Sequence, residues 1–149
     1  DRCHELVLRT NQFNISGNKY NKNDFKELLE KEKSMCWKVE DRFGDYGIVG
    51  FLTFTENDKS ILINNFVLSC RVAEKKVEES LFDWIQKKSL EKDLNIKFIK
   101  TGKNNPIREK LETMNLIKEK NNSYDIFKLN KKNNLLEKKF IEIDSKKYS

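Results

Sequence analysis

The residues best placed to do chemistry are a neighbouring cysteine and arginine, Cys70 and Arg71. They follow an apolar run, 61–68, that predicts a buried strand, and they precede apolar residues at helical spacing. Backbone N–H groups at the start of a helix are free to bind phosphates and oxyanions. A thiol at such a turn is a candidate catalytic nucleophile, because a guanidinium and a helix N-terminus both favour the thiolate. Arg71 is a candidate for binding a phosphate or carboxylate group with its planar fork.

Both residues also have a structural interpretation. Most free cysteines pack as small buried hydrophobes, and Cys3 and Cys36, which lack the context of Cys70, are predicted to do so. Arg71 is equally able to pair with Glu74 or Asp45. No general base for Cys70 is visible in the sequence.

Six further side chains are candidates for binding a substrate. Two lie in a turn rich in glycine and aspartate, which either serves turn formation or lies over the open end of the sheet. Three amides offer donors and acceptors to an acyl or pantetheine chain, or else cap local structure. One lysine either meets an anionic prosthetic group or is solvated. In the same order, these residues are Arg42 and Asp45, then Asn11, Gln12 and Asn104, then Lys103.

Apolar periodicity predicts the elements that position these residues. Three strands in a row, 35–39, 48–55 and 61–68, are expected to pair antiparallel, with an elaborated hairpin loop at 41–47. A long helix from about residue 72 then leads to a strand at 96–99, and such a crossover implies parallel pairing. Further helices are predicted at 2–9, at 23–34 with Asn23 or Asp24 as the N-cap, and from Pro106 onward. Further strands are predicted at 116–118 and 124–129.

Composition limits the classes of partner. With 149 residues the chain is one domain, and its net charge of +6 favours anionic partners. No basic stretch is interleaved with aromatic residues, which argues against nucleic acid. No apolar run is long enough to span a membrane. Three cysteines without a CxxC spacing predict reduced thiols in a cytoplasm, and a single histidine, His4, argues against a metal site.

Four motifs in register resemble the C-terminal domain of FkbH-type proteins, whose fold is that of the GNAT acyltransferases. The motifs are residues 10–14, residues 41–45 with 47–50, residues 68–72, and Lys103-Asn104 with Pro106. The resemblance implies an α/β (α+β) GNAT-like fold at 1–130, with a mixed, mostly antiparallel sheet, and a lysine-rich tail at 131–149. It also implies transfer of a glyceryl-type acyl unit to an acyl carrier protein in polyketide-type biosynthesis. The D-x-D pair of the family's HAD-superfamily phosphatase domain does not occur in these 149 residues. That domain is expected upstream in the same protein or in a partner chain.

Two departures from the GNAT pattern argue against coenzyme A, and a third, at Asn115, is mild because asparagine tolerates a left-handed backbone. The glycines that cradle the pyrophosphate of CoA are replaced by Glu74 and Lys76. Leu111 stands where many of these enzymes carry a tyrosine as general acid, and Asn115 replaces a further glycine. No cofactor is assigned: the phosphopantetheine of a carrier protein is one candidate, coenzyme A is disfavoured, and no metal is expected. The alternatives are a non-catalytic domain that docks the carrier protein and, less favoured, an acetyl-CoA-dependent N-acetyltransferase.

Overall fold

The computed structural model of the chain describes residues 2–72, 77–88, 92–114, 116–129 and 145–148. Within these ranges the backbone forms four helices and seven strands. The helices are α1 (Arg2–Arg9), α2 (Lys22–Lys31), α3 (Val77–Lys88) and α4 (Asn105–Thr113). The strands are β1 (Lys33–Asp41), β2 (Gly44–Glu56), β3 (Ser60–Leu68), β4 (Asp93–Phe98), β5 (Ile117–Lys120), β6 (Asp125–Leu129) and β7 (Ser145–Tyr148).

All described strands belong to one mixed sheet in the order β5-β6-β4-β3-β2-β1-β7. Neighbouring strands are antiparallel except β3 and β4, which pair in parallel from Ser60 opposite Asp93 to Ile63 opposite Ile96. A parallel pair needs a crossover connection, and α3 lies in that connection. The predicted α+β architecture, with three consecutive antiparallel strands and one parallel pair, is confirmed.

The helices cover the two faces of the sheet. On one face, α3 and α4 bury Phe82, Ile107 and Leu111 in the larger hydrophobic core. Aromatic rings extend that core, because the Phe66 ring lies 5.6 Å from Trp37 and 4.9 Å from Phe82. On the other face, α1 and α2 form a smaller core with residues of β1, β2 and β3. This second core consists of Cys3, Val7, Phe25, Leu28, Cys36, Phe51 and Val67.

The segment 13–15 fills the gap that opens between β3 and β4 beyond the end of their parallel pairing. Its backbone accepts a hydrogen bond from Leu68 N at Phe13 O (2.9 Å) and donates one from Ile15 N to Phe66 O (3.1 Å). On its other side, Ile99 N donates to Ile15 O (2.8 Å). Phe13 is buried in the larger core. The loop is thus built into the sheet, which the sequence did not indicate.

The start of α2 differs from the prediction. The N-cap is Asn21, whose side-chain oxygen accepts a hydrogen bond from Asp24 N at 2.8 Å. The expected caps, Asn23 and Asp24, lie inside the first turn of the helix. From there their side chains cannot accept a hydrogen bond from the unpaired backbone N–H groups of that turn as an N-cap residue does. The helix also ends at Lys31 rather than near residue 34, because β1 begins pairing with β2 at Lys33.

The hairpin between β1 and β2 is tighter than predicted. Asp41 pairs with Gly44, which leaves Arg42 and Phe43 as the only residues of the turn. The extra residues of the expected loop are absorbed inside the strands by register shifts after Trp37. One irregularity contains Gly47, whose φ of +69° is a left-handed conformation that suits glycine.

The last described strand lies in the predicted tail. Residues of β7 pair antiparallel with β1, from Ser145 opposite Trp37 to Tyr148 opposite Ser34. The end of the tail therefore contributes an edge strand to the sheet. Residues 130–144 lie outside the described part of the chain. Among the described helices, none combines the length and the apolar character needed to cross a membrane.

Candidate functional site

Cys70 lies at the end of the central strand of the sheet, in the turn that follows β3. It is a free cysteine with an exposed side chain, whereas Cys3 and Cys36 are 2% and 4% exposed. The packing interpretation is therefore confirmed for Cys3 and Cys36 and wrong for Cys70. A thiol that solvent reaches can meet a substrate, which is the first requirement for a nucleophile.

The turn that carries Cys70 is anchored to the neighbouring strand. Ser69 N donates to Val49 O of β2 (2.7 Å), and Val72 N donates to Ser69 O (3.1 Å). The Ser69 hydroxyl oxygen accepts hydrogen bonds from the backbone N and from Nε of Arg71, at 3.4 and 3.3 Å. The backbone on both sides of the thiol is thus held in place by the strand and the turn.

Arg71 is exposed, and within the described ranges its two terminal nitrogens carry no hydrogen bond. The predicted pairing with Asp45 is not formed, and the Asp45 carboxylate accepts a hydrogen bond from Gly47 N (2.7 Å). The other predicted partner, Glu74, lies outside the described residues. A guanidinium with free N–H groups beside a thiol can bind an anionic or carbonyl oxygen.

The loop after Arg71 is only partly described. The helix α3 is described from Val77, and residues 73–76 lie outside the described ranges. The predicted helix start near residue 72 and the replacement of phosphate-loop glycines by Glu74 and Lys76 therefore remain predictions. Asn115 also lies outside the described residues, whereas Leu111 is fully buried in the core.

The β1–β2 hairpin extends beyond the level of Cys70. Gly50 pairs with Leu68 at the end of β3, so β2 continues past that end toward the turn. At the turn, the Arg42 guanidinium stacks 4.7 Å from the centre of the Phe43 ring, and Phe43 is 76% exposed. Arg42 and Asp45 thus lie on a projecting hairpin at the same end of the sheet as Cys70.

Asn11 and Gln12 are exposed in the loop that approaches the same turn. The segment that follows them runs antiparallel to β3, with Asn14 bridged to Val67. Going backward from Phe13, which bonds Leu68, the chain therefore leads toward the Ser69–Cys70 turn. Gln12 O also accepts a hydrogen bond from Ile107 N at the start of α4 (3.3 Å). The two amide side chains remain candidates for substrate contacts.

Asn104 is fully buried and its amide is occupied by backbone groups. Its Nδ2 donates to Asn14 O (2.9 Å) and to Ile99 O (2.8 Å), and its Oδ1 accepts from Thr101 N (3.0 Å). It precedes α4, but its side chain caps no helical N–H group. Helix capping is therefore ruled out for Asn104, and in this conformation no amide hydrogen is left for a ligand.

Two lysines lie close together at this end of the molecule. Lys103 is exposed. The pKa of Lys19 is lowered from its ordinary value, first by the burial of Lys19 and then by the positive charge of Lys103. The Lys19 ammonium group donates to Val7 O (2.9 Å) and Thr10 O (2.6 Å), at the C-terminal end of α1. Lys103 is thus one of two neighbouring cations that favour an anionic partner.

A buried polar network supports the loop, and sequence reasoning missed it. Asn65 of β3 accepts a hydrogen bond from the Ser16 hydroxyl (2.7 Å) and donates to Thr53 (2.9 Å) and to the Tyr20 hydroxyl (3.2 Å). Asn14 accepts from Gly17 N (2.9 Å). The signal was available, since a polar residue inside the apolar run 61–68 must find partners once it is buried.

The only histidine lies in the α1–α2 layer. His4 Nε2 hydrogen-bonds to Tyr20 O (2.6 Å), and its ring centre lies 4.9 Å from that of Phe25. His4 is therefore committed elsewhere and does not act as the base for Cys70 in this arrangement. Among the described residues, no three His, Cys, Asp or Glu side chains are grouped to hold a metal ion.

An open groove of about 400 Å³ lies at the opposite end of the sheet, where β3 begins. It contains none of the predicted site residues. Both of its carboxylates are paired, since Glu56 pairs with Lys33 and Lys92, which lie outside the lining, and Glu119 pairs with Lys128. The lining consists of Thr55, Glu56, Asn57, Ser60, Leu62, Asn95, Glu119, Ile126 and Lys128.

The candidate site is therefore the end of the sheet where β3 and β4 finish. The structure brings there the thiol of Cys70, the guanidinium of Arg71, the projecting hairpin and the loops with the predicted amides and lysine. A chain-wide comparison finds no matching protein-family model, and a search of curated proteins finds no match.

Proposed function

We propose that this chain is a GNAT-like acyltransferase domain of FkbH type, which transfers a glyceryl-type acyl unit presented by an acyl carrier protein. The observation that carries the proposal is the exposed thiol of Cys70 at the end of the central strand. The parallel pair β3–β4 inside an otherwise antiparallel sheet supports the proposed fold. None of the three cysteines forms a disulfide, which supports a place in the reducing cytoplasm.

The proposed chemistry is a thioester exchange in two steps. The Cys70 sulfur attacks the acyl carbon of a carrier thioester, the bond from that carbon to the pantetheine sulfur breaks, and the thiol proton passes to the departing sulfur. An acyl-Cys70 thioester and a free carrier thiol result. A second carrier thiol then attacks the acyl-Cys70 carbon and regenerates Cys70, so no oxidant, reductant or metal is required.

The surrounding residues fit the binding of such a substrate. The exposed guanidinium of Arg71, whose terminal nitrogens bond to no residue in the described ranges, suits the developing oxyanion or a hydroxyl of the acyl unit. The exposed amides of Asn11 and Gln12 suit the amide groups of the pantetheine arm. Lys103, with Lys19 beside it, suits the phosphate of the prosthetic group and an acidic carrier surface.

The direct test is transfer between two carrier proteins, with one loaded as a glyceryl thioester. Cys70→Ser keeps the size of the side chain but offers a poor nucleophile, so the variant should fold and transfer should be abolished. Cys70→Ala controls for packing, and it should cost little stability because the side chain is exposed. Transfer at the wild-type rate by folded Cys70→Ser protein would refute the nucleophile assignment.

A second candidate is a non-catalytic domain that docks a carrier protein for a HAD-family partner in the same or another chain. The position of His4 favours it, because the only histidine is bound in the α1–α2 layer, away from the thiol. Under this alternative the charged end of the sheet still binds the carrier. Affinity for the carrier should then fall as salt rises, since exposed charges are screened over about 8 Å at physiological ionic strength. Salt-independent affinity would contradict electrostatic docking in either role.

A further inference from the structure

Two loops carry predicted binding residues, and the side chain of Asn104 connects these loops. One loop carries Asn11 and Gln12, and the other carries Lys103. Asn104 reaches from the second loop to Asn14 O of the first (2.9 Å) while also holding Ile99 O (2.8 Å) in its own loop. The amide therefore donates one hydrogen bond to each of two chain segments that are far apart in sequence.

Close packing makes the connection rigid. The Asn14 side chain, itself fully buried, donates to Thr10 O (3.2 Å) and accepts from Gly17 N (2.9 Å), which folds its loop around it. Gly17 approaches Thr101 so closely that a Cβ atom at position 17 would lie under 3.0 Å from the Thr101 methyl group. The two loops therefore touch at a second point besides the Asn104 amide.

The connection reaches the thiol through the backbone. The segment held by Asn104 bonds to Leu68 through Phe13 O (2.9 Å), and Cys70 lies two residues beyond Leu68. On the other side, Gln12 O bonds to Ile107 N (3.3 Å). A shift of the segment at Asn14 would therefore move the exposed amides of Asn11 and Gln12 relative to the thiol.

We propose that Asn104 is a positioning residue that fixes the Asn11–Gln12 loop beside Cys70, an inference that rests on the proposed acyl transfer at that thiol. Asn104 touches no reacting atom. It acts through Asn14, by keeping the two amides in reach of an acyl chain bound at the turn. Substrate contacts are therefore assigned to the exposed amides of Asn11 and Gln12 and not to Asn104.

The first test separates positioning from stability. Asn104→Ala removes all three side-chain bonds, and the matched control Phe25→Leu destabilises the opposite α1–α2 core, outside the site. Both are assayed at a temperature at which both are fully folded. The expected result is a fall in kcat of about 10- to 100-fold for Asn104→Ala, with KM for the carrier within about twofold, because misplacement by about 1 Å has costs of that size. Equal kcat for the two variants would overturn the proposal.

A conservative variant adds a pH-dependent rescue. In Asn104→Asp an ionised carboxylate would face the carbonyl oxygens of Asn14 and Ile99, which raises the pKa of the introduced group. Protonation restores one O–H donor, so lowering the pH should recover part of kcat relative to Asn104→Ala. The folded state then binds the proton more strongly than the unfolded state, so the variant's stability also rises as pH falls. An activity of Asn104→Asp that parallels Asn104→Ala at every pH would contradict the hydrogen-bond account.

The second test needs no catalysis. Spin labels are attached at Cys70 and at Gln12→Cys in a Cys3→Ala/Cys36→Ala background, and the distance distribution is measured with and without Asn104→Ala. A narrow distribution that broadens when Asn104 is replaced supports the proposal, and an unchanged distribution refutes it. If the unsubstituted chain transfers no acyl group, the proposed function fails, and the label distances still decide whether Asn104 positions the loop.

Discussion

Replacing Gly17 with alanine tests the contact between the two loops at the candidate site. Gly17 has a φ of +70°, and a Cβ atom there would lie under 3.0 Å from the Thr101 methyl carbon. The left-handed backbone costs an alanine about 1–2 kcal/mol. The overlap adds about 1–3 kcal/mol, because carbon atoms normally keep about 3.5 Å apart and a packed neighbour yields only partly. The expected loss is therefore about 2–5 kcal/mol, or about 6–15 °C in Tm for a domain of this size.

Two matched variants separate these contributions. Gly102 has a φ of +84° but nothing within 4 Å of an added Cβ, so Gly102→Ala should lose only the backbone part. In Gly17→Ala/Thr101→Ser the offending methyl is gone, while the hydroxyl that accepts a hydrogen bond from Lys103 N is kept. Urea unfolding of the wild type, Gly17→Ala, Thr101→Ser and the double variant gives the coupling energy, expected at about 1–3 kcal/mol. If Gly17→Ala costs no more than Gly102→Ala, or the serine restores nothing, the two loops are not in contact.

Three further predictions concern the core, the surface and coenzyme A. Gly50→Ala would place a Cβ under 3.0 Å from the buried Trp37 ring, so it should cost about 3 kcal/mol; an unchanged midpoint in urea would contradict the close stacking. Hydrogen bonds from Lys33 and then Lys92 lower the pKa of Glu56 from 4.5, so its contribution to stability is present above that pH and is lost as the pH falls below it. Glu56→Gln should therefore cost less than about 1 kcal/mol of stability at pH 7 and should lose less stability than the wild type as the pH falls below 4.5. Parallel slopes of stability against pH for the two proteins would contradict this. If the proposed GNAT-like fold holds, acetyl-CoA should bind weakly or not at all, because the buried Leu111 then stands in place of the tyrosine acid and Glu74 and Lys76 in place of the phosphate-loop glycines. A Kd of about 1 μM by calorimetry would refute this.

The sequence predicted the helices and strands in which the spacing of apolar residues marks the face that is buried. Alternation from residue 35 to 39 identified β1, because Met35, Trp37 and Val39 face the larger core. Helical spacing of apolar residues identified α3, whose Leu81 and Ile85 lie in the same core. The run 61–68 was long and β-branched enough to identify the central strand. The crossover after it then required the parallel pair, since only a crossover connection joins parallel strands.

The missed features depend on partners that are distant in the chain. The strand β7 has no apolar pattern of its own, and it is defined by pairing with β1, more than a hundred residues earlier. The tight β1–β2 turn depends on bulges and on the left-handed Gly47, which composition alone does not locate. At the site, a buried amide such as Asn104 has the same sequence signature as an exposed one such as Asn11. Conversely, the exposure of Cys70 follows from where β3 ends relative to β2, which the residues around it do not specify.

The central claim is that Cys70 carries the acyl group during transfer. The protein is incubated with an acyl carrier protein loaded as a glyceryl thioester, and its peptides are analysed by mass spectrometry. The account predicts one adduct with the mass of the acyl unit on the peptide that contains Cys70, labile to hydroxylamine as a thioester is. The adduct should be absent from Cys70→Ser and from the buried Cys3 and Cys36. A wild-type protein that transfers the acyl unit between carriers with no adduct on Cys70 would contradict the account.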